Sequence, residues 1–474
     1  MLFTSPVFVL FFALVFAACR AGLPWTARKA ILLAASIAFY AAWNPPFVAL
    51  LLGSVALDYG VGLLLARTQA AGRRKALLVA SLAGNLGVLA VFKYANFFSE
   101  NFLAAAHAMG WELQLMPWNI VLPVGISFYT FQTLSYTIDL YRRKLEPERN
   151  LLDFALFVTF FPQLVAGPIV RASEFLPQLK APRQATGNQI GWGAILFVLG
   201  LFKKVWLADQ IFAPAVNAGF SLPSAPSFLD AWFSVWAFAG QVYCDFSGYS
   251  DMAIGLALAL GFTLPDNFHA PFGSIGFTDH WRRWHMSLSS WLRDYLYISL
   301  GGNRKGRLRT YLNLTLTMLL GGLWHGANWT YVAWGGLNGV YLSLERRFQI
   351  AWLSGLLHRS RLARAVAIVL TFQGACVGYA FFRARDMGQA LGFLRSMFGM
   401  GQALFTTEVS RRLTLTSTLA IAALVLVHGL MRQRKWEDVS ARAGWLATAA
   451  VAGVMLALVL TSGGGGNAFI YFQF

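Results

Sequence analysis

Apolar runs long enough to cross a bilayer as a helix, about 20 residues, recur along the whole chain. The connections between them alternate in charge. Arg20, Arg28 and Lys29 follow the first run, whereas Asn44-Pro45-Pro46 after the second holds no Lys or Arg. Arg67, Arg73, Arg74 and Lys75 follow the third, residues 99–118 after the fourth hold none, and Arg142, Arg143, Lys144 and Arg149 follow the fifth. Helices satisfy their own backbone hydrogen bonds in lipid, and basic connections stay in the cytoplasm. The pattern predicts an all-α polytopic membrane protein of about twelve spans with both termini outside. Segment 151–168 is apolar but lies between Arg149 and Arg171 and holds Pro162 and Gly167-Pro168, so a re-entrant segment is expected there. Residues 214–228, rich in Pro, Ser and Ala, should form an external connection. The glycines at 463–466 should make a turn before an aromatic tail, 469–474, that anchors at the interface. The whole chain, 1–474, reads as one integral membrane domain, with N-terminal spans in 1–150, a motif-bearing core in 151–345 and C-terminal spans in 346–474.

Composition sharpens this reading. Of 474 residues, 57% are hydrophobic and 12% charged, too few charges to wet a soluble surface. An ordinary soluble enzyme and a disordered chain are excluded. The net charge of +18 falls mainly in alternating connections and reads as orientation; no soluble basic face for nucleic acid is present. Arg383, Arg385, Arg411 and Arg412 break the alternation. Cys19, Cys244 and Cys376 are too few and too far apart for a disulfide framework. There is no P-loop, GxSxG or metalloprotease-type histidine pair.

Polar residues inside apolar spans are costly and are functional candidates by default. Segment 277–300 carries Asp279, His280, Arg282, Arg283, His285, Arg293 and Asp294. Trp281, Trp284, Leu288, Trp291, Leu292 and Tyr295 recur at spacings of 3 and 4, which predicts one helix with an apolar stripe and with Arg282 and Ser289 on the face of His285. Such a helix fits inside the protein or at the membrane interface, and both readings stand. His280 and His285 are five apart and share no helix face, so no zinc site is expected. His325, in segment 319–339, is flanked by Gly321, Gly322 and Gly326. It is either a structural hydrogen-bonder or a general base whose neutral imidazole can take a hydroxyl proton. No acid lies near it in sequence, and Asp245 is the candidate partner from another helix. His107, His269, His358 and His428 read as ordinary residues in or beside loops. Asp58, Asp139 and Asp251 read as helix–helix hydrogen bonders rather than proton relays.

The runs at 241–268 (QVYCDFSGYSDMAIGLALALGFTLPDNF), 279–306 (DHWRRWHMSLSSWLRDYLYISLGGNRKG) and 317–339 (TMLLGGLWHGANWTYVAWGGLNG) resemble the membrane-bound O-acyltransferase family. Residues 92–98, 122–136, 160–169 and 469–474 agree with it. The resemblance implies a ring of helices around a central funnel. It implies that His325 is the catalytic base and His285 the second polar residue of the tunnel. It further implies an acetyl group taken from a cytoplasmic thioester, acetyl-CoA or another, and passed across the bacterial inner membrane to an alginate- or cellulose-type exopolysaccharide. Besides membrane lipid and the donor, the implied partners are periplasmic acetyltransferase proteins and a polysaccharide synthase complex; no bound cofactor or metal is implied. Asn303, Trp324 and Asn328 are candidates for lining the site. Arg282, Arg283 and Lys305 fit either attraction of an anionic donor or anchoring at the membrane face. A polysaccharide or lipid-linked sugar transporter and a non-catalytic scaffold subunit are the rival readings.

Overall fold

The computed structural model describes residues 1–114, 116, 118, 120–222, 225–348, 360–400, 409, 411–462 and 469–470. Among these residues the regular structure is helical throughout. The glycines at 463–466, the tail beyond residue 470 and His358 lie outside them. The chain forms two compact units, one of Met1–Gly193 with Ala253–Pro265, the other of Ala194–Met252 with Asp266–Phe474.

The first unit comprises α1 (Pro6–Arg20), α2 (Trp25–Ala41), α3 (Pro46–Arg67), α4 (Ala71–Ala108), α5 (Ile126–Tyr141), α6 (Leu151–Thr159), α7 (Phe161–Leu164) and α8 (Ala172–Leu179). α1 and α3 begin on proline, where a missing N–H costs nothing. Phe8, Phe39 and Phe161 pack into one aromatic knot, with ring centroids 5.9 and 6.3 Å from Phe8. At its polar centre, Asp58 accepts hydrogen bonds from Ser81 (2.5 Å), Asn85 (2.8 Å) and Thr137 (2.9 Å), so α3, α4 and α5 are tied through one carboxylate. That is the helix-bonding role expected for Asp58. Segment 151–168 becomes α6 and α7, nine and four residues long and buried. At about 1.5 Å per residue neither can cross a core of about 30 Å.

Three cations assigned by pattern to loops, Arg28, Lys29 and Arg74, are instead buried in helices. Lys29 pairs with Asp153. Arg28 donates to the Arg183 carbonyl (2.7 Å), and Arg74 to those of Leu65 (2.7 Å) and Leu140 (2.9 Å). Helix C-termini leave carbonyls without partners, and the Arg74 guanidinium satisfies two of them here.

The second unit holds most of α9 (Gly187–Phe220) and α10 (Phe228–Ala259), then α11 (Phe277–Trp281), α12 (Met286–Trp291, continued by a π turn, Leu292–Tyr297), α13 (Gly306–His325), α14 (Trp329–Phe348), α15 (Arg361–Arg383), α16 (Met387–Met397), α17 (Arg411–Met431), α18 (Trp436–Ala443) and α19 (Trp445–Thr461). α9 runs on through Pro214 to Phe220, which corrects the external connection expected from residue 214. The proline falls in the first turn after a π stretch, Phe202–Phe212, where the lost N–H is tolerated. α9 and α10 cross closely at two glycines. A Cβ on Gly200 would lie 2.4 Å from the Gly248 carbonyl.

Among the described residues, five helices, α3, α4, α9, α15 and α17, are long and apolar enough to cross a membrane, and α18 with α19, bent by 117°, would make a sixth. The expectation of about twelve counts apolar runs; α2 and α5, at 17 and 16 residues, fall short of the usual 20 or so. Exposed apolar side chains such as Leu64, Val369, Leu426 and Leu460 make this a multi-pass membrane protein.

Candidate active site

His325 is the last residue of α13. Gly326 is extended (φ −162°), and Asn328 caps α14 by accepting from the Thr330 N–H (3.0 Å). The resulting α13–α14 hairpin is tight because glycines line its seam. A Cβ on Gly322 would lie 2.2 Å from the Tyr331 carbonyl, and one on Gly335 2.3 Å from that of Met318. No side chain fits at such distances. The glycines beside His325 therefore set backbone spacing and fix where the imidazole stands.

Segment 277–300 is not one helix. α11 ends at Trp281, and His285 takes a left-handed conformation (φ +43°) before α12 begins. Arg282 and Ser289 therefore do not share a helix face with His285. A non-glycine residue in this region carries strain that its surroundings must hold. Here Asn267 does so. Its Oδ1 lies 3.1 Å from His285 Nδ1 and accepts from Ser287 Oγ (2.8 Å), and its backbone carbonyl accepts from the Met286 N–H (2.9 Å). Its Nδ2 donates to Ser250 Oγ (3.1 Å). With Oδ1 as acceptor, Nδ1 of His285 carries the proton and Nε2 is the basic nitrogen. The apolar stripe survives the break, since Trp284, Leu288, Trp291, Leu292 and Tyr295 are all buried.

The break and the hairpin bring the two histidines together. Their ring centroids are 6.4 Å apart, and their exposures are 0% for His285 and 3% for His325. Trp324 lies 5.0 Å from His325 and 6.1 Å from His285. Trp334 (5.1 Å) and Phe382 (5.2 Å) complete the wall around His325, and Phe246 stands edge-on to His285 at 4.7 Å. Both imidazoles are thus buried in one aromatic enclosure. A cleft of about 440 Å³ is lined by Trp281, Arg282, Ser289, Met318 and Met286, the residue after His285. Among the described residues no group of three His, Cys, Asp or Glu is placed to hold a metal ion.

The sequence profile of the membrane-bound O-acyltransferase family matches residues 144–372, the stretch that contains both histidines. The probable alginate O-acetylase AlgI of Azotobacter vinelandii is 42% identical over 432 residues, covering 90% of this chain and 83% of that protein. The AlgI of Pseudomonas aeruginosa is 42% identical over 443 residues, 91% and 82% of the two chains. The peptidoglycan O-acetyltransferase of Helicobacter pylori is 38% identical over 398 residues, 78% and 74%.

The chain belongs to the membrane-bound O-acyltransferase family. It is an O-acyltransferase. Arg282 is exposed on the cleft, and Trp324 is part of the histidine wall. Asn303 is exposed in the turn before α13, and Lys305 precedes the first helical residue. Asn328 spends its amide on the helix cap and on the Arg385 carbonyl (3.0 Å). Arg283 pairs with Asp279 (2.8 Å), which Arg432 also holds (2.8 Å).

Asp245 is not the partner of His325. It pairs with Lys204 and accepts from the Ile470 N–H (2.8 Å). Lys204 also bonds Asp209 (3.0 Å), and Lys203 donates to Asp251 (2.6 Å), so Asp251 is a helix–helix hydrogen bonder as expected, with a lysine of α9 as its partner. Phe469 and Ile470 are buried, with Phe469 5.1 Å from Tyr249 and 5.8 Å from Phe246. They are core residues and not an interfacial anchor. His428 is likewise buried. Its Nδ1 accepts from the Phe272 N–H (3.2 Å), and its ring meets Tyr243 at 4.7 Å. The residue that sequence reasoning missed is Asn267. It lay in plain view at the end of the 241–268 run, but an asparagine in a loop gives no sign of a histidine partner 18 positions on.

Proposed function

We propose that this chain is an O-acetyltransferase of the bacterial inner membrane that moves acetyl from a cytoplasmic thioester, acetyl-CoA or a related donor, toward a polysaccharide hydroxyl. The observation that carries this reading is the pair of buried histidines 6.4 Å apart in an aromatic enclosure. His325 takes the proton of the acceptor hydroxyl as its oxygen bonds the acetyl carbon. The carbon–sulfur bond then breaks, and the leaving thiolate recovers the proton from the imidazolium. His285, held at Nδ1 by Asn267, presents Nε2 to the same space. Trp324 and the other rings exclude water, so the acyl group is not lost to hydrolysis. The cleft beside Arg282 is the entry proposed for the donor, with the guanidinium meeting its anionic part.

The acceptor proposed is an alginate- or cellulose-type exopolysaccharide, served by periplasmic partner proteins and a polymer synthase. The reading includes a single membrane domain of about twelve spans around a central funnel. The test replaces His325 by Ala and measures both the acetyl content and the yield of the polymer. Loss of acetyl at full polymer yield supports transfer. Loss of the polymer itself points to a transporter, and normal acetylation by the inserted variant overturns the proposal.

A further inference from the structure

α15 and α17 are two of the helices able to cross a membrane, and a groove of about 520 Å³ runs between them. Its wall is aliphatic: Ile368 and Val369 from α15, Val425, Leu426 and Leu430 from α17. At one end four guanidinium groups converge. Arg361 and Arg364 belong to the first turn of α15, and Arg432 and Arg434 follow the last turn of α17. Among the described residues no carboxylate lines the groove. Arg432 is engaged by Asp279 at 2.8 Å, while Arg361, Arg364 and Arg434 make no ion pair with a described residue.

The placement is electrostatically uphill without an anion. The N-terminus of a helix carries about half a positive charge. The first turn of α15 holds no acidic residue, so two arginines add to that charge and a third faces them. Arginines that only fix orientation gain by spreading into water, whereas these ring the mouth of a groove. The groove itself is amphipathic in the sense of a lipid, with cations at one end and methyl groups along two membrane-length helices.

We propose that this groove binds one anionic phospholipid, its phosphodiester on Arg361, Arg364 and Arg434 and an acyl chain along Ile368, Val369 and Val425. Basic pockets between membrane helices have the chemistry to select such headgroups. The site is independent of the acetyl-transfer reading and stands or falls without it.

The test uses the purified full chain in neutral detergent, with retained lipid counted by native mass spectrometry. Phosphatidylglycerol should be retained at least tenfold more tightly than phosphatidylcholine. Each surface cation adds about 1 kcal/mol toward an anionic lipid, so Arg361→Gln/Arg364→Gln/Arg434→Gln should weaken phosphatidylglycerol by roughly a hundredfold and leave phosphatidylcholine unchanged. Arg432 stays intact because it holds Asp279. A control with the same charge removed elsewhere, Arg67→Gln/Arg73→Gln/Lys75→Gln, should retain the lipid. Val369→Trp, which fills the groove and keeps every arginine, should also expel it. Equal losses in the control would reveal diffuse attraction and overturn the site. Retention by the triple variant or by Val369→Trp would overturn it too. Inorganic phosphate competing as well as phosphatidylglycerol would overturn the lipid assignment. Should the triple variant fold poorly, Val369→Trp and the phosphate competition still decide.

Discussion

Asp58 and His325 are both polar side chains buried in apolar helices, and their surroundings are opposite. Asp58 is closed by short donors: Ser81, Asn85 and Thr137 each spend a proton on its carboxylate. His325, the proposed base, is walled by the rings of Trp324, Trp334 and Phe382. Its neighbour His285 is held at Nδ1 by Asn267. A buried group that holds helices together is saturated by what surrounds it. A buried group that does chemistry is aimed, and the space before it is kept apolar.

The largest test of that contrast is His325→Ala. Acetyl transfer should fall by about 10²–10⁴, the usual contribution of a general base, with little change in the melting temperature of the solubilised protein. A large loss of melting temperature with activity per folded molecule retained would make His325 another Asp58. The converse is Asp58→Ala. Three donors lose their acceptor, so stability should drop by on the order of 3 kcal/mol, while kcat of the surviving folded protein stays within about twofold. A deeper fall in kcat at full stability would break the contrast from the other side.

Asn267→Ala should cost roughly tenfold in kcat, the equivalent of one hydrogen bond of about 1.4 kcal/mol, with KM little altered. Asn267→Asp, which keeps an acceptor for Nδ1, should recover part of it. Equal loss in both variants would mean that Asn267 only supports the backbone of its loop. The smallest effect concerns Asp279, in a five-residue helix too short to span. Burial alone would raise its carboxyl, but hydrogen bonds from Arg432, the Ile275 N–H and Arg283 outweigh burial and hold it below the ordinary value of 3.8. A depressed folded-state pKa adds stability that is complete above the unfolded value and fades as pH falls through the folded one. Asp279→Asn should therefore melt lower than the unaltered chain at neutral pH, by about 1 kcal/mol. The two should converge as pH drops below 3.8. A gap that persists in acid would rule out the carboxylate as its cause.

The histidines were legible because a spanning chain has so few polar residues that each one shows. Their proximity was not. The 3–4 periodicity of Trp281, Trp284, Leu288 and Trp291 runs straight through Arg282–His285, and nothing in it reveals that His285 turns left-handed. Arginines and lysines that the sequence places in connections have structural partners that it does not show. Arg28 and Arg74 serve distant carbonyls, and Lys204 binds Asp245, the candidate partner for His325. Long polar side chains reach partners that linear spacing cannot name.

The bond between Asp245 and Ile470 joins residues 225 positions apart. At 5–20 residues per second, a ribosome needs roughly 11 to 45 seconds to cover that distance. Until residues 469 and 470 are made, two features of the folded core cannot exist: the bond from the Ile470 N–H to Asp245 and the packing of Phe469 on Phe246 and Tyr249. This part of the core is therefore completed late in synthesis, and the Lys204 pair is the partner of Asp245 that does not depend on it.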